Sequence, residues 1–579
     1  MSEKTRPLAP PKPLPNGGWE VDSLMSSTEY TLRGLALLPP NNIVPVIVVP
    51  GIMGTNLRAK RKQRRDGQGE ETNKRAQPGE PVWRPPNGKV EGLRAATKWD
   101  GYTSTDRQLL LDAPTLEVDG SGPVVLPNSD NEYVLKEDDV RRRGWGEVHA
   151  ESYGPLLYAL QTCLNQTFGF DYQKKKPFVK KHWQDVIACD PKKWGLRDCA
   201  PLTENELRKH ANYYFPVYAV GYCWLHDCER SSEVLEKRIQ AILESWRKTK
   251  RRCDKVILVT HSMGGLVARA CAKRIPDQIA GVIHAVMPAL GAPAAYRRIA
   301  CGTEASSPGN GAIANFEASR VAMILGQTTD KTTPVLATSP GALELLPNHL
   351  YPQPWLHVRV IKSSGPPRAA GYAARDDVVR FKETSADYLH LPNARSPNPY
   401  ELYRDLKSWY RLINPLLADP AGRFAKKPGG VELEIRSAIA TAETFHRTLG
   451  NYYHPNTYAF YGDDPNELSY GQVRWVARQG PGSACALTTA NLAAATFLSH
   501  TASGQRRVLV EGKAELHFDP EGQDVGGDGT VPRLSGAGVA SHVKQVFATR
   551  GYDHQGSYKN EDMLKLTLHL VVKIVQEMS

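Results

Sequence analysis

The sequence of 579 residues contains no apolar run long enough to cross a bilayer as a helix. Its most apolar stretch, Ile43 to Met53, is too short and is interrupted by two prolines. The first residues carry no apolar signal-peptide core, which predicts synthesis and folding in a cytoplasm. No internal repeat is found, which argues against a solenoid or a propeller.

Cysteine spacing excludes the common zinc motifs. The nine cysteines are an odd number, and none stands in a Cys-x-x-Cys pair. We expect most of them to be reduced and structural. In an oxidising compartment, Cys189 can pair with Cys199, or Cys223 with Cys228. The sequence therefore predicts no cofactor.

Positive charge is in excess and is clustered. The net charge is +12, with basic runs at Arg58 to Arg65 and at Lys174 to Trp183. One such run is typical of a solvated face, but two in a basic chain favour an anionic partner, either lipid headgroups or nucleic acid. Because no nucleic-acid-binding motif is present, we expect no nucleic acid and favour a membrane surface. The predicted membrane-contact residues are Lys174, Lys175, Lys176, Lys180, Lys181 and Trp183.

Strands and helices alternate along the chain up to about residue 300. The β-branched run that begins at Ile43 is typical of a buried parallel strand. This pattern predicts an α/β fold with a mainly parallel central sheet, helices on both faces and large insertions that form a cap. The predicted ranges are 1–42 for a Pro-rich N-terminal arm, 43–362 and 456–579 for the α/β core, 58–145 for an insertion of loops and short strands within the core, and 363–455 for a helical insertion that forms a cap.

Three further segments carry definite secondary-structure predictions. The stretch Ser231 to Arg252 has helical periodicity and is expected to be capped by its first serine. The stretches Glu401 to Asp419 and Gly429 to Asn451 also predict helices. A strand is expected at Asn456 to Gly462, where the sheet resumes.

The stretch Lys255 to Ala270, "KVILVTHSMGGLVARA", indicates a strand, a sharp turn at Ser262 and a helix. This is the arrangement that exposes a nucleophilic serine, although the usual first glycine of the motif is Thr260 here. Gly264 and Gly265 give the turn room on the helix side. The N–H of Met263, at the start of the helix, is suited to hold a developing oxyanion. The alternative is a serine that only caps a helix.

Other Ser-x-Gly triplets fit the role less well. Two of them, at Ser307 and Ser339, have proline in the middle, which has no N–H to donate. The remaining three, at Ser152, Ser363 and Ser469, lack the succession of strand and helix.

A nucleophilic serine needs a base, and the base needs a carboxylate to orient it. Downstream, Asp528 stands in the tight turn "GGDGTVP", with Asp524 as its rival. His554 lies on a Gly-flanked loop after a short strand, with His542 as its rival. We predict Ser262, Asp528 and His554 as the catalytic residues, because this is the chain order of α/β hydrolases.

Two further features of the site are predicted. The second oxyanion donor is expected in the loop after the first strand, "VVPGIMGTNL", with the N–H of Ile52 as first choice and that of Met53 as the alternative. The carboxylates before the Asp528 turn are weak calcium candidates. They are Asp519, Glu521 and Asp524.

Together these segments resemble the lipase branch of the α/β-hydrolase superfamily. "VPGIMGTNLRAK", "THSMGGLVAR", "SPGALELLPN", "GGDGTVP" and "GYDHQGSY" are similar to the oxyanion loop, elbow, lid-region motif, Asp turn and His loop of lecithin:cholesterol acyltransferase-like enzymes. The resemblance implies that Ser262, Asp528 and His554 form a triad. It implies hydrolysis of acyl esters of membrane phospholipids. An acyltransferase, a neutral-lipid esterase or an inactive scaffold that only binds remains open.

The whole layout resembles, more narrowly, type VI secretion phospholipase effectors of the third class. This resemblance implies an antibacterial toxin that is made in the cytoplasm and loaded on a secretion spike or adaptor protein. It further implies delivery to the periplasm or membrane of target cells. A cognate immunity protein is the other implied partner.

Overall fold

The computed structural model describes residues 12–13, 19–20, 40–61, 73–126, 135–171, 176–305, 319, 321–364, 382–479 and 486–578. The predicted arm at 1–42 therefore lies largely outside the described residues. So do Lys174, Lys175 and the rival serine at Ser307.

A central sheet of six parallel strands organises the molecule. In chain order the strands are Val46–Val49 (β1), Val217–Ala219 (β2), Val256–His261 (β3), Ile279–Ala285 (β4), Thr457–Gly462 (β5) and Gln545–Thr549 (β6). Their spatial order is β2-β1-β3-β4-β5-β6. The predicted α/β-hydrolase fold with a mainly parallel sheet is confirmed.

Four helices cover the two faces of this sheet: Ala150–Leu164 (α1), Cys228–Lys248 (α2), Gly264–Arg274 (α3) and Glu561–Gln576 (α4). Alternate side chains of β1 point to opposite faces of the sheet, so they contact different pairs of these helices. Ile47 and Val49 pack with α2 and α3, whereas Val46 and Val48 pack with α1 and α4. Each such fully buried side chain contributes roughly 1.5–3 kcal/mol, which explains why the strand is apolar on both faces.

Helix α2 begins earlier than its apolar periodicity predicts. Its cap is Asp227, not the predicted serine, and the Asp227 side chain accepts the N–H of Arg230 at 2.7 Å. An aspartate near a helix N-terminus also interacts favourably with the helix dipole.

The first insertion contains more helix than the sequence predicts. Helix Gly88–Asp100 was not anticipated, because it buries only Gly92, Ala96 and Trp99 and leaves most of its other residues, Val90 and Leu93 among them, exposed. The other elements between β1 and α1 are Leu57–Ala59, Pro81–Trp83, Ser104–Leu110, Leu116–Val118 and Glu137–Arg142.

A second sheet, mixed and six-stranded, was also not predicted. Its spatial order is Lys382–Leu391, Leu356–Ser364, Val473–Gln479, Ala514–Pro520, Arg506–Val510 and Thr496–His500. The predicted helical insertion at 363–455 is therefore wrong in its first part, which contributes strands. Its helices are Pro399–Arg404, Pro415–Ala418 and Gly430–Leu449.

The predicted helix from Glu401 to Asp419 is broken for a local reason. The Asp405 side chain accepts the backbone N–H groups of Lys407 and Ser408, and this turn competes with a helical hydrogen bond. Pro415 then starts a new short helix, where its missing N–H costs nothing.

Shorter elements complete the described chain. The strands are Lys12–Pro13, Trp19–Glu20, Asn42–Ile43, Phe168–Asp171, Lys176–Val179, Tyr213–Tyr214, Asp464–Ser469 and Val525–Gly527. The helices are Lys181–Ile187, Glu204–His210, Pro293–Cys301, Thr329–Leu336, Pro340–Leu343, Thr489–Ala493 and Arg533–Ala537. In the described ranges every helix lacks the length or the apolarity of a membrane span. The cysteines there are free thiols.

Arg107 fastens the first insertion to a later part of the chain. Its guanidinium is buried and donates to the carbonyl oxygens of Trp99 at 2.6 Å, Met323 at 2.8 Å and Ile324 at 3.0 Å. Burial lowers the pKa of Arg107 to about 10. The planar guanidinium reaches three carbonyls at once, which a lysine ammonium cannot match in geometry.

We expect Arg107→Lys to lower the thermal midpoint, because at least one of these buried carbonyls loses its donor at a cost of about 1–3 kcal/mol. Calorimetry of the full chain measures the change. The matched control is Arg208→Lys, which alters an exposed pair with Glu204 and should leave the midpoint nearly unchanged. Equal midpoints for the two variants would contradict the fastening role.

Candidate active site

Ser262 lies in a strained turn between β3 and α3. Its φ is +52°, in the left-handed region that a serine rarely adopts. Its N–H donates to the carbonyl of Ala285 at the end of β4, at 2.9 Å, and its own carbonyl accepts the N–H of Gly265 at 2.9 Å. The predicted strand, turn and helix are thus present in the structure.

The two glycines after the turn are required by close neighbours. A Cβ on Gly264 would lie 2.4 Å from the carbonyl oxygen of Pro50, which follows β1. A Cβ on Gly265 would lie 2.5 Å from the sulfur of Met287. The carbonyl oxygen belongs to fixed backbone and excludes a side chain at Gly264, whereas a side chain at Gly265 would require Met287 to move.

Thr260 fills the position of the missing first glycine and has a partner that the sequence analysis did not identify. It is fully buried, and its hydroxyl lies 2.9 Å from Nδ1 of His284. His284 is the residue opposite Thr260 in the register of β3 and β4. The pairing register of β3 and β4 places these two residues opposite each other, so a correct register would have predicted the pair.

Ser262, His554 and Asp528 are joined by hydrogen bonds. Nε2 of His554 lies 2.8 Å from the Ser262 hydroxyl oxygen, and Nδ1 lies 2.8 Å from Oδ2 of Asp528. A carboxylate only accepts, so Nδ1 donates and Nε2 is left to accept the serine proton. This geometry permits proton transfer from the serine to the imidazole.

The carboxylate of Asp528 is itself held rigidly. Its Oδ1 accepts the N–H groups of Thr530 at 3.0 Å and Val531 at 2.7 Å. Its backbone carbonyl accepts the N–H of His554 at 2.7 Å, which ties the two loops together. Asp528 is 1% exposed, and the side chain of His554 is 14% exposed.

The loop after β1 lies against this serine. A Cβ on Gly51 would be 2.9 Å from Cβ of Ser262. Met53, whose φ is +62°, turns the chain back, and its carbonyl accepts the indole N–H of Trp83 at 2.8 Å. Among the described residues no acceptor engages the N–H of Ile52, Met53 or Met263. All three predicted donors therefore stay candidates for an oxyanion hole.

Glu467 lies on the Asp528 side of the site. Burial and the carboxylates of Asp553, Asp464 and Asp528 raise the pKa of Glu467. The N–H of Gly529, beside Asp528, donates to the carbonyl of Glu467 at 3.1 Å.

The rival residues have other partners. Asp524 accepts the N–H of Gly471 at 2.7 Å and pairs with Arg474 at 2.9 Å. His542 is exposed and stacks on Tyr453.

The predicted calcium ligands do not gather into a site. Arg474, which pairs with Asp524, also approaches Glu521 at 3.6 Å, while Asp519 accepts the side-chain amide of Gln505. The guanidinium thus occupies the place between two of the three carboxylates where a cation was expected. In the described part of the chain no group of three or more acidic, histidine or cysteine side chains is arranged to hold a metal.

The predicted membrane-contact run is corrected at its aromatic residue. Trp183 is fully buried, and its indole N–H donates to the carbonyl of Cys163 at 3.1 Å. It faces the core because helix Lys181–Ile187 is amphipathic. Lys180 binds the side chain of Gln166, Lys181 pairs with Asp185, and Lys176 is exposed.

Comparison with known proteins agrees with this architecture. The fold defines an α/β hydrolase, and residues 219–304, which span the elbow, match the family model described as a PGAP1-like alpha/beta domain. A solved structure described as the crystal structure of the Tle4-Tli4 complex matches with 27% identity and a TM-score of 0.68, covering 93% of this chain and 99% of the other. No curated protein matches.

These matches confirm the predicted resemblance to α/β-hydrolase lipases and to type VI secretion phospholipase effectors. The solved relative carries the designation Tle4, so assignment to the third class of effectors remains a prediction.

The Thr260 and His284 pair predicts a stability effect. We expect Thr260→Gly to destabilise the protein by about 1–3 kcal/mol, because the buried Nδ1 of His284 loses its partner. Thr260→Ser keeps the hydroxyl and should retain most of the stability. Chemical denaturation of both variants measures the difference, and a serine variant as unstable as the glycine variant would contradict the role of the hydrogen bond.

Proposed function

We propose that the chain is a serine lipase that hydrolyses acyl esters of membrane phospholipids. The observation that carries this proposal is the continuous hydrogen-bonded series from Ser262 through His554 to Asp528. The comparisons support the coarser statement that the chain is a lipase-type hydrolase similar to phospholipase effectors.

In the proposed mechanism, His554 takes the proton of Ser262 as the serine oxygen attacks the ester carbonyl. Asp528 holds the imidazole in the required tautomer and stabilises its positive charge. The N–H of Met263 and that of Ile52, or of Met53, hold the oxyanion, and each such donor contributes roughly 3 kcal/mol. His554 then protonates the departing alcohol and activates the water that cleaves the acyl-enzyme.

We further propose that the protein acts as an antibacterial effector of type VI secretion. In this proposal it is made in the cytoplasm, exported with a spike or adaptor protein and delivered to the periplasm or membrane of a target cell. A cognate immunity protein restrains it. The similarity to a protein solved as a complex with a second protein supports the existence of such a partner.

The first test identifies the products. Purified protein incubated with defined phospholipid vesicles should release free fatty acid and lysophospholipid, and Ser262→Ala should lower the rate roughly 10⁶-fold. Ser339→Ala is the matched control, because Ser339 is a buried serine that donates to the carbonyl of Leu225 and should be dispensable. Acyl transfer to an added alcohol would identify an acyltransferase instead. Equal release by the protein and Ser262→Ala would overturn the assignment of the nucleophile.

The second test separates two neighbouring aspartates. Asp528→Asn should lower kcat by about 10⁴-fold, since an amide in place of the carboxylate stabilises the wrong imidazole tautomer. Asp524→Asn makes the same chemical change and should leave kcat close to that of the unmodified protein. Steady-state kinetics on a soluble ester measures kcat for both variants. A larger loss of kcat in Asp524→Asn would assign the role of orienting the imidazole to Asp524 instead of Asp528.

A further inference from the structure

A buried tyrosine links the loop after β1 to the loop that carries His554. Tyr153 lies in the first turn of α1 and is 1% exposed. Its hydroxyl oxygen is 3.0 Å from the N of Gly51 and 3.1 Å from Nδ1 of His261. Nε2 of His261 in turn lies 2.9 Å from the carbonyl oxygen of His554.

The chemistry of these groups fixes the direction of every hydrogen bond. The carbonyl of His554 only accepts, so the proton of His261 must reside on Nε2. Nδ1 then carries a lone pair and accepts the Tyr153 hydroxyl proton. The tyrosine oxygen is left to accept the N–H of Gly51. A single arrangement of protons therefore satisfies the whole series.

His261 is neutral at neutral pH. Burial, and then the neighbouring His554, lower the pKa of His261 to about 3. A neutral imidazole has one N–H and one lone pair. The direction of the series is therefore constant at neutral pH.

The glycines of the first loop are shaped around this tyrosine. A Cβ on Gly54 would lie 2.7 Å from the hydroxyl oxygen of Tyr153, and one on Gly51 would lie 2.8 Å from Nδ1 of His261. The loop can close over the hydroxyl only because both positions lack a side chain.

The same turn of α1 holds the histidine loop a second time. The side-chain amide of Gln555 donates to the hydroxyl of Ser152 at 2.7 Å, and that hydroxyl lies 2.7 Å from Nδ1 of His149. Nε2 of His149 lies 2.9 Å from the carbonyl of Pro86, so it donates and Nδ1 accepts. The start of α1 therefore holds the histidine loop at two points. One is His554, through Tyr153 and His261, and the other is Gln555, through Ser152.

We propose that Tyr153 is a positioning residue for the ester hydrolysis proposed above: through His261, it sets the distance between the oxyanion donors of the first loop and the imidazole of His554. The inference rests on the proposed function for its kinetic consequence. Tyr153 does not touch the reacting atoms. It acts by holding two loops that the central sheet does not join directly.

The matched pair of variants is Tyr153→Phe and Tyr558→Phe. Tyr558 is also 1% exposed, and its hydroxyl donates to a strand carbonyl, that of Thr260, at 3.1 Å. Both variants lose one buried hydroxyl. We expect Tyr153→Phe alone to lower kcat about 10²-fold with KM unchanged, because loosened donors act mainly in the transition state. Steady-state kinetics on a soluble ester measures kcat and KM separately.

Hydrogen–deuterium exchange of the full chain tests the same inference without activity. Exchange in peptides covering residues 50–54 should accelerate about tenfold in Tyr153→Phe, since the buried N–H of Gly51 loses its acceptor. It should stay slow in Tyr558→Phe. Equal kinetics and equal exchange for the two variants would overturn the role of Tyr153 and leave the proposed function intact. Absence of ester hydrolysis in the unmodified protein would overturn the proposed function, while the exchange rates would still decide whether Tyr153 holds the loop.

Discussion

The strained backbone of Ser262 is the constraint on which the rest of the structure depends. A non-glycine residue in the left-handed region costs about 1–3 kcal/mol, and the cost must be met by neighbouring packing. The carbonyl of Ala285 holds the N–H of Ser262 from β4. On the other side, the backbone at the end of β1 lies so close to Gly264 that no side chain fits there. The order of β1, β3 and β4 in the sheet is therefore the condition for holding the Ser262 hydroxyl against His554.

The sequence predicted those elements whose residue pattern directly reflects how they are buried. The β-branched strands β1 and β3 are buried on both faces, so their composition alone identifies them. Ser262, Asp528 and His554 stand in turns rich in glycine, which few other roles require. Here a short window of sequence contains the physical reason for the structure.

The second sheet could not be predicted in this way. Leu356–Ser364 pairs in parallel with Val473–Gln479, more than a hundred residues later in the chain. Neither stretch of sequence alone shows that the two strands will pair at that distance. The basic run shows a related limit, because the sum of its charges did not reveal that Trp183 points inward on one face of a short helix. Tyr153 escaped notice because its two partners, Gly51 and His261, lie far from it and from each other along the chain.

The distance along the chain between Ser262 and His554 has a consequence for synthesis. Ser262 and His554 are 292 residues apart, and the second sheet lies between them. At typical rates of translation, roughly 15–60 s pass between the emergence of the first and the second. Throughout that interval the ribosome carries the Ser262 elbow without His554. Under the proposed function, the chain cannot hydrolyse esters until the loop of His554 has been synthesised and α4 has docked on the sheet.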